Sequence, residues 1–478
     1  MNFVRNIVKN TGVMALGLGL NLIFTFILNI IYARYLGAIG FGKFAFALSF
    51  TALIAVLGDL GLATLAVRDI ASDKSKIKKY LSNILTLKLI VSLVILILIF
   101  LIVDLLKYPK DTTALIRILG IYVVINLLGT GLRWVFQGYQ VLEYESFSFI
   151  LLGLLRLIGG TAILVAGYGI IELAWVEVIA NLLILLFIFS VVRKKFLKIN
   201  LELDFRFWKK LIKNSFPLAL MVIFSTIYLN VDTVILSSYK GDEITGLYKA
   251  AYKLVAVIKL IPTFFIPAIF PVMAEFFSLS KEKFNRVGEK SLFFLILFGL
   301  PLSLSVTILS KKIILLLYGD KFVNSSSVLQ ILIWTSLFVF ISQVMGYMLI
   351  SAGKEKITTY IVAVGLFFNI FFNILLIPKY SYVGAAISIF IAELIVALLA
   401  YLSVYKLLAF KYSLAPYLKL LLSSLIMGVA VYCFQNRNLF FVIIIGVFVY
   451  NLMLFLIKGI SVQDKETIKS ILFKKNLI

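Results

Sequence analysis

Histidine is absent from the 478 residues, and Cys433 is the only cysteine. Catalytic triads and metal sites that need histidine, thiol redox pairs and intrachain disulfides are therefore excluded. Charged residues are also scarce, at 14% of the chain, whereas 62% of the residues are hydrophobic. Soluble domains are usually about 45–50% apolar. A soluble globular domain is thus excluded, and neither a metal nor another cofactor is expected.

The few charges separate long apolar stretches, each close to the roughly 20 residues that a helix needs to cross a bilayer. Fourteen such spans can be placed, at 11–34, 44–66, 82–103, 114–136, 147–167, 171–192, 215–238, 247–272, 289–309, 325–350, 357–378, 382–405, 416–434 and 439–457. The predicted fold is an all-α integral membrane protein of about fourteen transmembrane helices.

The distribution of basic residues predicts the orientation of these spans. When residues at the ends of spans are counted with the adjacent connection, 29 of the 46 Lys and Arg residues belong to the two tails and the connections after even-numbered spans, 12 belong to the opposite side, and five lie deeper within spans. Basic residues collect on the cytoplasmic side of membrane proteins. Both termini of this multi-pass cell-membrane protein are therefore predicted to be cytoplasmic. The net charge of +24 follows from this topology, so no nucleic-acid partner is expected.

An internal repeat divides the first twelve spans into two sets of six. Tyr35-x-Gly37-x4-Gly42-x-Phe44 and Tyr239-x-Gly241-x4-Gly246-x-Tyr248 share one pattern at an offset of 204 residues, and each lies between the first two spans of its half. The repeat predicts two pseudo-symmetric lobes of the same orientation, followed by a C-terminal helix pair. The predicted domains are an N-lobe at 1–195, a linker at 196–213, a C-lobe at 214–410, and the last two spans with a cytoplasmic tail at 411–478.

The linker is rich in basic and aromatic residues. Phe207 and Leu211 are four residues apart, as are Trp208 and Ile212, which indicates a short helix on the cytoplasmic membrane surface. The alternation of apolar residues from Leu201 to Phe207 would also suit a strand.

Charges within the predicted spans are the best functional candidates, because an ionised side chain at mid-membrane costs about 2.5–3.5 kcal/mol on insertion scales. They are Asp59, Lys88, Arg133, Arg156, Glu177, Asp232, Lys253, Lys259 and Glu393. Each is expected to face a cavity or to form an ion pair. Three prolines at positions 262, 267 and 271 predict a kink in the eighth span, which makes this span the candidate for a moving element that lines a cavity.

Four segments, taken in order, carry a family resemblance. They are Tyr32-Ala-Arg34-Tyr-Leu36-Gly37-x-x-x-Phe41-Gly42, Phe136-Gln137-Gly138, Asp232 followed by Gly246-Leu-Tyr248-Lys-Ala250-Ala251, and Leu315-Leu-Leu-Tyr318-Gly319-Asp-Lys-Phe322. Together with the fourteen spans, they resemble the polysaccharide transporter branch of the multidrug/oligosaccharidyl-lipid/polysaccharide (MOP) exporter superfamily, which contains flippases of the O-antigen type.

The resemblance implies a transporter and not an enzyme. It implies that a polyprenyl-(di)phosphate-linked oligosaccharide is moved from the cytoplasmic to the outer leaflet by alternating access. The partners expected are this lipid, membrane lipids, a proton or monovalent cation, and glycan-assembly proteins. Two alternatives remain open: a multidrug or cation antiporter of the same superfamily, and a membrane glycosyltransferase or polymerase.

The resemblance also implies a cationic central cavity between the two lobes. The substrate-binding residues expected from it are Arg34, Arg156, Lys253 and Lys259, with Arg68 and Arg133 nearer the cytoplasmic entrance. The acids expected to couple an ion or to form ion pairs are Asp59, Asp232, Glu177 and Glu393. A buried diphosphate needs positive partners, because an unpaired charge in a medium of low dielectric constant is costly.

Overall fold

The computed structural model describes residues 2–459 except 199 and 411, without the side chains of 2–9, 11, 71–72, 264 and 267–268. The predicted cytoplasmic tail at 460–478 lies outside the described residues. The described chain is helical throughout, with α1 Asn2–Ala55, α2 Leu62–Ser72, α3 Ile77–Leu106, α4 Lys110–Gly138, α5 Leu142–Val165, α6 Ile170–Lys195, α7 Phe205–Lys259, α8 Ile261–Leu279, α9 Lys281–Tyr318, α10 Ser325–Leu332, α11 Thr335–Ser351, α12 Glu355–Leu408, α13 Leu414–Cys433 and α14 Leu439–Leu456.

Helices α1, α7 and α12 are too long to cross a membrane once. They contain 54, 55 and 54 residues, which at 1.5 Å per residue is about 80 Å, against a hydrocarbon core of about 30 Å. Each contains one non-helical residue, at Gly37, Gly241 and Ser381. Eleven helical stretches among the described residues are long and apolar enough to span a bilayer. Helices α1, α7 and α12 are each long enough to cross twice. Counted as two crossings each, they bring the total to the fourteen that the sequence predicts.

The repeated glycine motif has the same backbone conformation in both copies. Gly37 has φ 66° and ψ −177°, and Gly241 has φ 81° and ψ −177°. This region of the φ/ψ map is essentially restricted to glycine, because a Cβ atom would clash with the backbone. The first glycine of the motif therefore reverses the chain between two successive spans in each half.

The second predicted span is interrupted within the membrane. Helix α1 ends at Ala55, Leu60 and Gly61 adopt φ values of 50° and 63°, and α2 begins at Leu62. The eighth predicted span is also interrupted, as its prolines predicted: α7 ends at Lys259, and α8 begins at Ile261 with proline in its first turn. Non-helical backbone at membrane depth must be surrounded by protein or line a cavity.

The described residues form two compact units, of which the first contains those up to 253 together with 369–385, and the second contains 254–368 together with those from 386 to 459. The core of the first unit is built from α2 to α7 around Trp134 and Phe136. The second has one core where α8, α9, α11 and α12 meet, around Phe340 and Met345, and another between α9, α13 and α14. The lobe boundaries expected from the sequence stay a prediction.

The linker is helical from Phe205 onward, as expected, but this helix is not short. Helix α7 begins at Phe205 and continues into the seventh span, and the preceding residues 201–204 form no regular structure. Asp204 caps α7, since its carboxylate accepts a hydrogen bond from the Phe207 N–H at 2.9 Å. That bond, followed by the one from Lys79, lowers the pKa of Asp204 below its ordinary value.

The start of α7 packs against protein. Trp208 and Leu211 belong to the core of the first unit. The indole Nε1 of Trp208 donates a hydrogen bond at 2.9 Å to Asn83, a buried residue of α3. The spacing that suggested a membrane-facing surface is therefore that of a helix whose apolar face is buried against α3.

Candidate functional site

A buried ion pair lies at the centre of the candidate site in the first unit. Arg156 projects from α5, and its Nη2 lies 2.7 Å from Oε2 of Glu177 on α6. Both side chains are largely buried, with exposed fractions of 18% and 8%. From the sequence, Arg156 was expected either to face a cavity or to form an ion pair. The structure shows the ion pair.

Polar groups around this pair are incompletely satisfied. The Arg156 guanidinium lies 6.0 Å from the centre of the Tyr122 ring on α4, and the charges of Arg156 and Glu177 act on Tyr32 of α1. Arg133, also on α4, has its guanidinium 4.6 Å from the centre of the Phe149 ring and lies within electrostatic range of Arg156. Within the described part of the chain, the buried Tyr32 hydroxyl and the Nε atoms of Arg133 and Arg156 have no hydrogen-bond partner. Each of these three atoms can serve a ligand.

Lys253 brings a further positive charge to this site. It lies on the second half of α7, where the charges of Lys249, Glu177 and Arg156 act on it. The described residues provide no ion pair for Lys253, whereas Arg156 has Glu177. The sequence-predicted Arg156, Lys253 and Arg133 are thus brought to one region of the first unit.

The Lys259 pair belongs to the second unit. Lys259 Nζ lies 2.9 Å from Oε1 of Glu393 on α12, and the two side chains are 18% and 8% exposed. Lys259 is the last residue of α7, directly before the break that separates this helix from α8. The pair therefore joins the eighth span to the twelfth.

The remaining acids of the prediction are also engaged. Asp59 lies at the interruption of the second span and pairs at 3.1 Å with Lys88, whose side chain is fully buried and also bonds Thr130. Asp232 is fully buried and accepts hydrogen bonds from Thr233 and from the hydroxyl of Tyr248. Hydrogen bonds thus compensate the cost of burying Asp232, and the ion pair with Lys88 stabilises the partly exposed Asp59.

Arg34 and Arg68 differ from the other candidates because their side chains are exposed. Arg34 lies three residues before the Gly37 turn, and Arg68 lies on α2, with its Nε 3.2 Å from the carboxylate of the adjacent Asp69. The structure does not place these two arginines in the buried site.

Sequence reasoning missed three residues of the site: Lys249, Tyr32 and Tyr122. Lys249 is buried, with its ammonium 4.4 Å from the centre of the Tyr252 ring and within electrostatic range of Asp232. It precedes Lys253 by four residues, so the two lysines share a helix face, and this spacing could have revealed it. The tyrosines gave no comparable signal, because tyrosine is common in this chain, with 23 copies.

This arrangement can bind an anion. Arginine presents a fork of donors that suits phosphate, whereas lysine supplies a charge that follows a moving group. The described residues hold no group of three or more acidic or sulfur ligands fit for a metal ion. The cations Arg156, Arg133 and Lys253 are of the kind that recognises a negatively charged group.

Comparison with known proteins identifies the family. The family described as "Polysaccharide biosynthesis protein" matches residues 7–277, more than half of the chain. The chain belongs to the polysaccharide biosynthesis protein family. The MatE family matches residues 217–375. Both matches place this polysaccharide biosynthesis protein in the MOP superfamily of membrane transporters, which are not enzymes, as the sequence predicted.

Three curated relatives are distant, and the match to one of them spans most of the chain. The capsular polysaccharide biosynthesis protein CapF of Staphylococcus aureus is 22% identical over 84% of this chain and 99% of its own length. The uncharacterized membrane protein MJ1068 of Methanocaldococcus jannaschii is 28% identical over 44% of this chain and 42% of its own. The probable low-salt glycan biosynthesis flippase Agl15 of Haloferax volcanii is 23% identical over 46% and 48%. The matches to MJ1068 and Agl15 thus span less than half of those relatives.

Solved structures confirm the predicted fold class. The lipid II flippase MurJ in an inward closed conformation matches with a TM-score of 0.79 and 19% identity, over 92% of this chain and 97% of MurJ. An inward-facing MATE family multidrug transporter matches with a TM-score of 0.64 and 14% identity, over 80% and 94%. At these identities the likeness establishes the fold: a multi-pass, all-helical membrane protein of the MurJ and MATE type.

Proposed function

We propose that this protein is a flippase that moves a polyprenyl-(di)phosphate-linked oligosaccharide from the cytoplasmic to the outer leaflet by alternating access. The observation that carries the proposal is Lys253, a basic residue within a membrane span that has no ion-pair partner in the described chain and lies beside the Arg156–Glu177 pair. A positive charge of this kind is costly unless it serves an anion.

In this proposal the diphosphate is held by Arg156 and Lys253, with Arg133 next along its path. Glu177 keeps Arg156 in place when no substrate is bound, and the phosphate takes over the guanidinium when it arrives. Lys259, at the break in the eighth span, responds to movement of α8 through its pair with Glu393. The coupling of a proton or monovalent cation stays a prediction, as does association with glycan-assembly proteins.

Family membership and the relatives support the choice of cargo. The names of CapF and Agl15 refer to polysaccharide or glycan biosynthesis, and those of two putative Shigella transporters refer to O-antigen transport. A lipid-linked glycan is a substrate that would suit both a buried basic site and these relatives. The protein would act in the cell membrane, with both termini in the cytoplasm.

The test replaces Lys253. Because Lys253 forms no ion pair with the described residues, its removal leaves no buried carboxylate without its partner. We expect Lys253→Ala to slow delivery of lipid-linked sugar to the outer leaflet by roughly tenfold or more, since a hydrogen bond to a charged group contributes on the order of 1.5–3 kcal/mol. Arg156→Ala should have a comparable effect, and Lys253→Arg should retain part of the rate. The measurement is a leaflet-accessibility assay in proteoliposomes.

Arg117→Ala is the matched control, because Arg117 is an exposed cation of α4 that pairs with Asp104. It should transport at the wild-type rate. Wild-type rates in both Lys253→Ala and Arg156→Ala would contradict the assignment of the diphosphate to these residues.

The match to the MatE family over residues 217–375 favours a multidrug antiporter as the second candidate. An antiporter for organic cations should protect drug-sensitive cells and should depend on Glu177 or Glu393. A flippase should give no such protection, because a basic site repels organic cations.

A further inference from the structure

A cavity of about 240 Å³ lies at one end of the second unit, where α9, the start of α13 and the chain after α14 meet. Its polar lining includes Glu289, Lys290, Ser413, Tyr417, Lys419 and Lys458. Three lysines face one glutamate, so the lining carries an excess of positive charge. The Arg156 site belongs to the first unit, and the proposed function makes no use of this cavity.

Hydrogen bonds between the three segments hold the walls of the cavity together. The carboxylate of Glu289 accepts a bond from the Ser413 N–H at 3.1 Å, and the Tyr417 hydroxyl donates to the Glu289 carbonyl at 3.3 Å. Lys419 Nζ donates to the Lys458 carbonyl at 3.1 Å. An ammonium has three N–H donors, so Lys419 keeps further donors for a ligand. The Glu289 carboxylate is thus engaged by the backbone at the start of α13, and the lysines of the lining provide N–H donors for an anionic ligand.

The predicted topology places this cavity near one membrane surface, because its lining segments lie at the ends of predicted spans. Its three segments follow the eighth, twelfth and fourteenth predicted spans. Segments that follow even-numbered spans all lie on the same side of the membrane, whichever way the protein is oriented. Aromatic rings surround this end of the unit, with Tyr417 5.6 Å from Tyr412 and 6.2 Å from Phe293 between ring centres. Tyrosine is enriched where a membrane protein meets the headgroups.

Next to the cavity, the surfaces of α13 and α14 are strongly apolar. Leu414 and Leu418 are each 61% exposed on the first turns of α13, and Phe455 and Leu456 are 72% and 60% exposed at the end of α14. Acyl chains would cover these side chains in a bilayer. A ligand with a phosphate in the cavity and hydrocarbon tails beside it satisfies both surfaces.

We propose that this cavity binds the phosphate of an anionic glycerophospholipid from the adjacent leaflet. Basic pockets between transmembrane helices bind the headgroups of anionic lipids through the same chemistry. The bound phosphate would bridge Lys290 of α9, Lys419 of α13 and Lys458 after α14, and so fasten the last two helices to α9. Free phosphate and a polyprenyl phosphate share this chemistry, and the experiment separates them from the phospholipid.

The experiment measures the thermal unfolding of the full chain in detergent as lipid is added. Phosphatidylglycerol should raise the melting temperature in a saturable way, whereas phosphatidylcholine with the same acyl chains and inorganic phosphate should not. The combined variant Lys290→Gln, Lys419→Gln and Lys458→Gln should need roughly tenfold more phosphatidylglycerol, because three charged donors are lost. The corresponding arginine variant should respond as the wild type does.

The control is the combined variant Lys281→Gln, Lys354→Gln and Lys356→Gln, which removes the same charge from exposed positions on the same predicted side and should respond as the wild type does. Lys458→Gln alone, whose hydrogen bond to Lys419 uses only the backbone, covers the case in which the combined variant misfolds, and it should weaken the response. Equal responses of cavity and control variants would overturn the proposal. Full protection by inorganic phosphate, or tighter protection by a polyprenyl phosphate than by phosphatidylglycerol, would overturn the choice of lipid.

Discussion

Buried charges in this protein fall into two groups. Lys88 and Arg156 each have a carboxylate partner at 3.1 and 2.7 Å, so their burial is compensated locally. Lys253 has no such partner among the described residues. The sequence predicted which charges lie at membrane depth, because apolar neighbours flank them. It could not predict the pairing, because each partner lies on another helix and the choice depends on packing.

Asn83 provides a prediction at the scale of one residue. Its amide nitrogen donates to Glu202 at 3.0 Å, and its oxygen accepts from Nε1 of the buried Trp208 at 2.9 Å. Asn83→Ala should lower the free energy of unfolding by about 1–3 kcal/mol, since the indole N–H would lose its partner in a buried place. Denaturant unfolding of the purified protein measures the change. The control is Asn200→Ala, at an exposed position in the connection between α6 and α7 that also contains Glu202. Equal stability of the two variants would contradict the prediction.

The two copies of the glycine motif pack against each other. A Cβ atom on Gly42 would collide with the backbone carbonyl of Asp242, and one on Gly246 would collide with the backbone carbonyl of Ala38. The contact is therefore reciprocal between the first and second halves of the repeat. Lys43 secures it, forming an ion pair with Asp111 and lying 3.8 Å from Asp242.

Helix packing at this contact should tolerate no added methyl group. Gly42→Ala and Gly246→Ala should each lower the free energy of unfolding by about 1–3 kcal/mol, the usual range for overpacking. Both should slow transport, because the two turns must separate or distort to accept the methyl. Gly129→Ala is the control, since a Cβ at this helical position meets nothing within 4 Å. Thermal unfolding in detergent gives the comparison, and a loss as large at Gly129 would show that packing at the motif is not the cause.

Elements were predictable where the local sequence decides them. The turns at Gly37 and Gly241 follow from the repeated motif, and the break before α8 follows from its prolines. The interruption at Leu60 was not predicted, because leucine rarely adopts a positive φ and no proline marks the site. The burial of Trp208 was missed for another reason: an apolar helix face looks the same whether membrane or protein covers it.

At the scale of the whole molecule, the excess of basic residues follows the membrane topology. The two tails and the connections after even-numbered spans, counted with the adjacent span ends, carry most of the Lys and Arg residues, and the lysines of the proposed lipid cavity lie among them. The buried site contains fewer cations but places them where solvent screens their charge less. One charge imbalance therefore has two physical roles, orientation of the chain and recognition of anions, and only their depth in the membrane distinguishes them.

The orientation itself can be tested by cysteine labelling, because Cys433 is exposed and can be replaced by serine in a first step. Single cysteines at Glu243 or Asn324 should react with an impermeant maleimide in intact cells, since their connections follow odd-numbered spans, the side that carries fewer basic residues in total. Cysteines at Lys194 or Lys354 should react only after permeabilisation. All four positions are exposed, so access to the reagent depends on the side of the membrane. Labelling of position 194 in intact cells would reverse the topology and would place the basic lipid cavity in the outer leaflet.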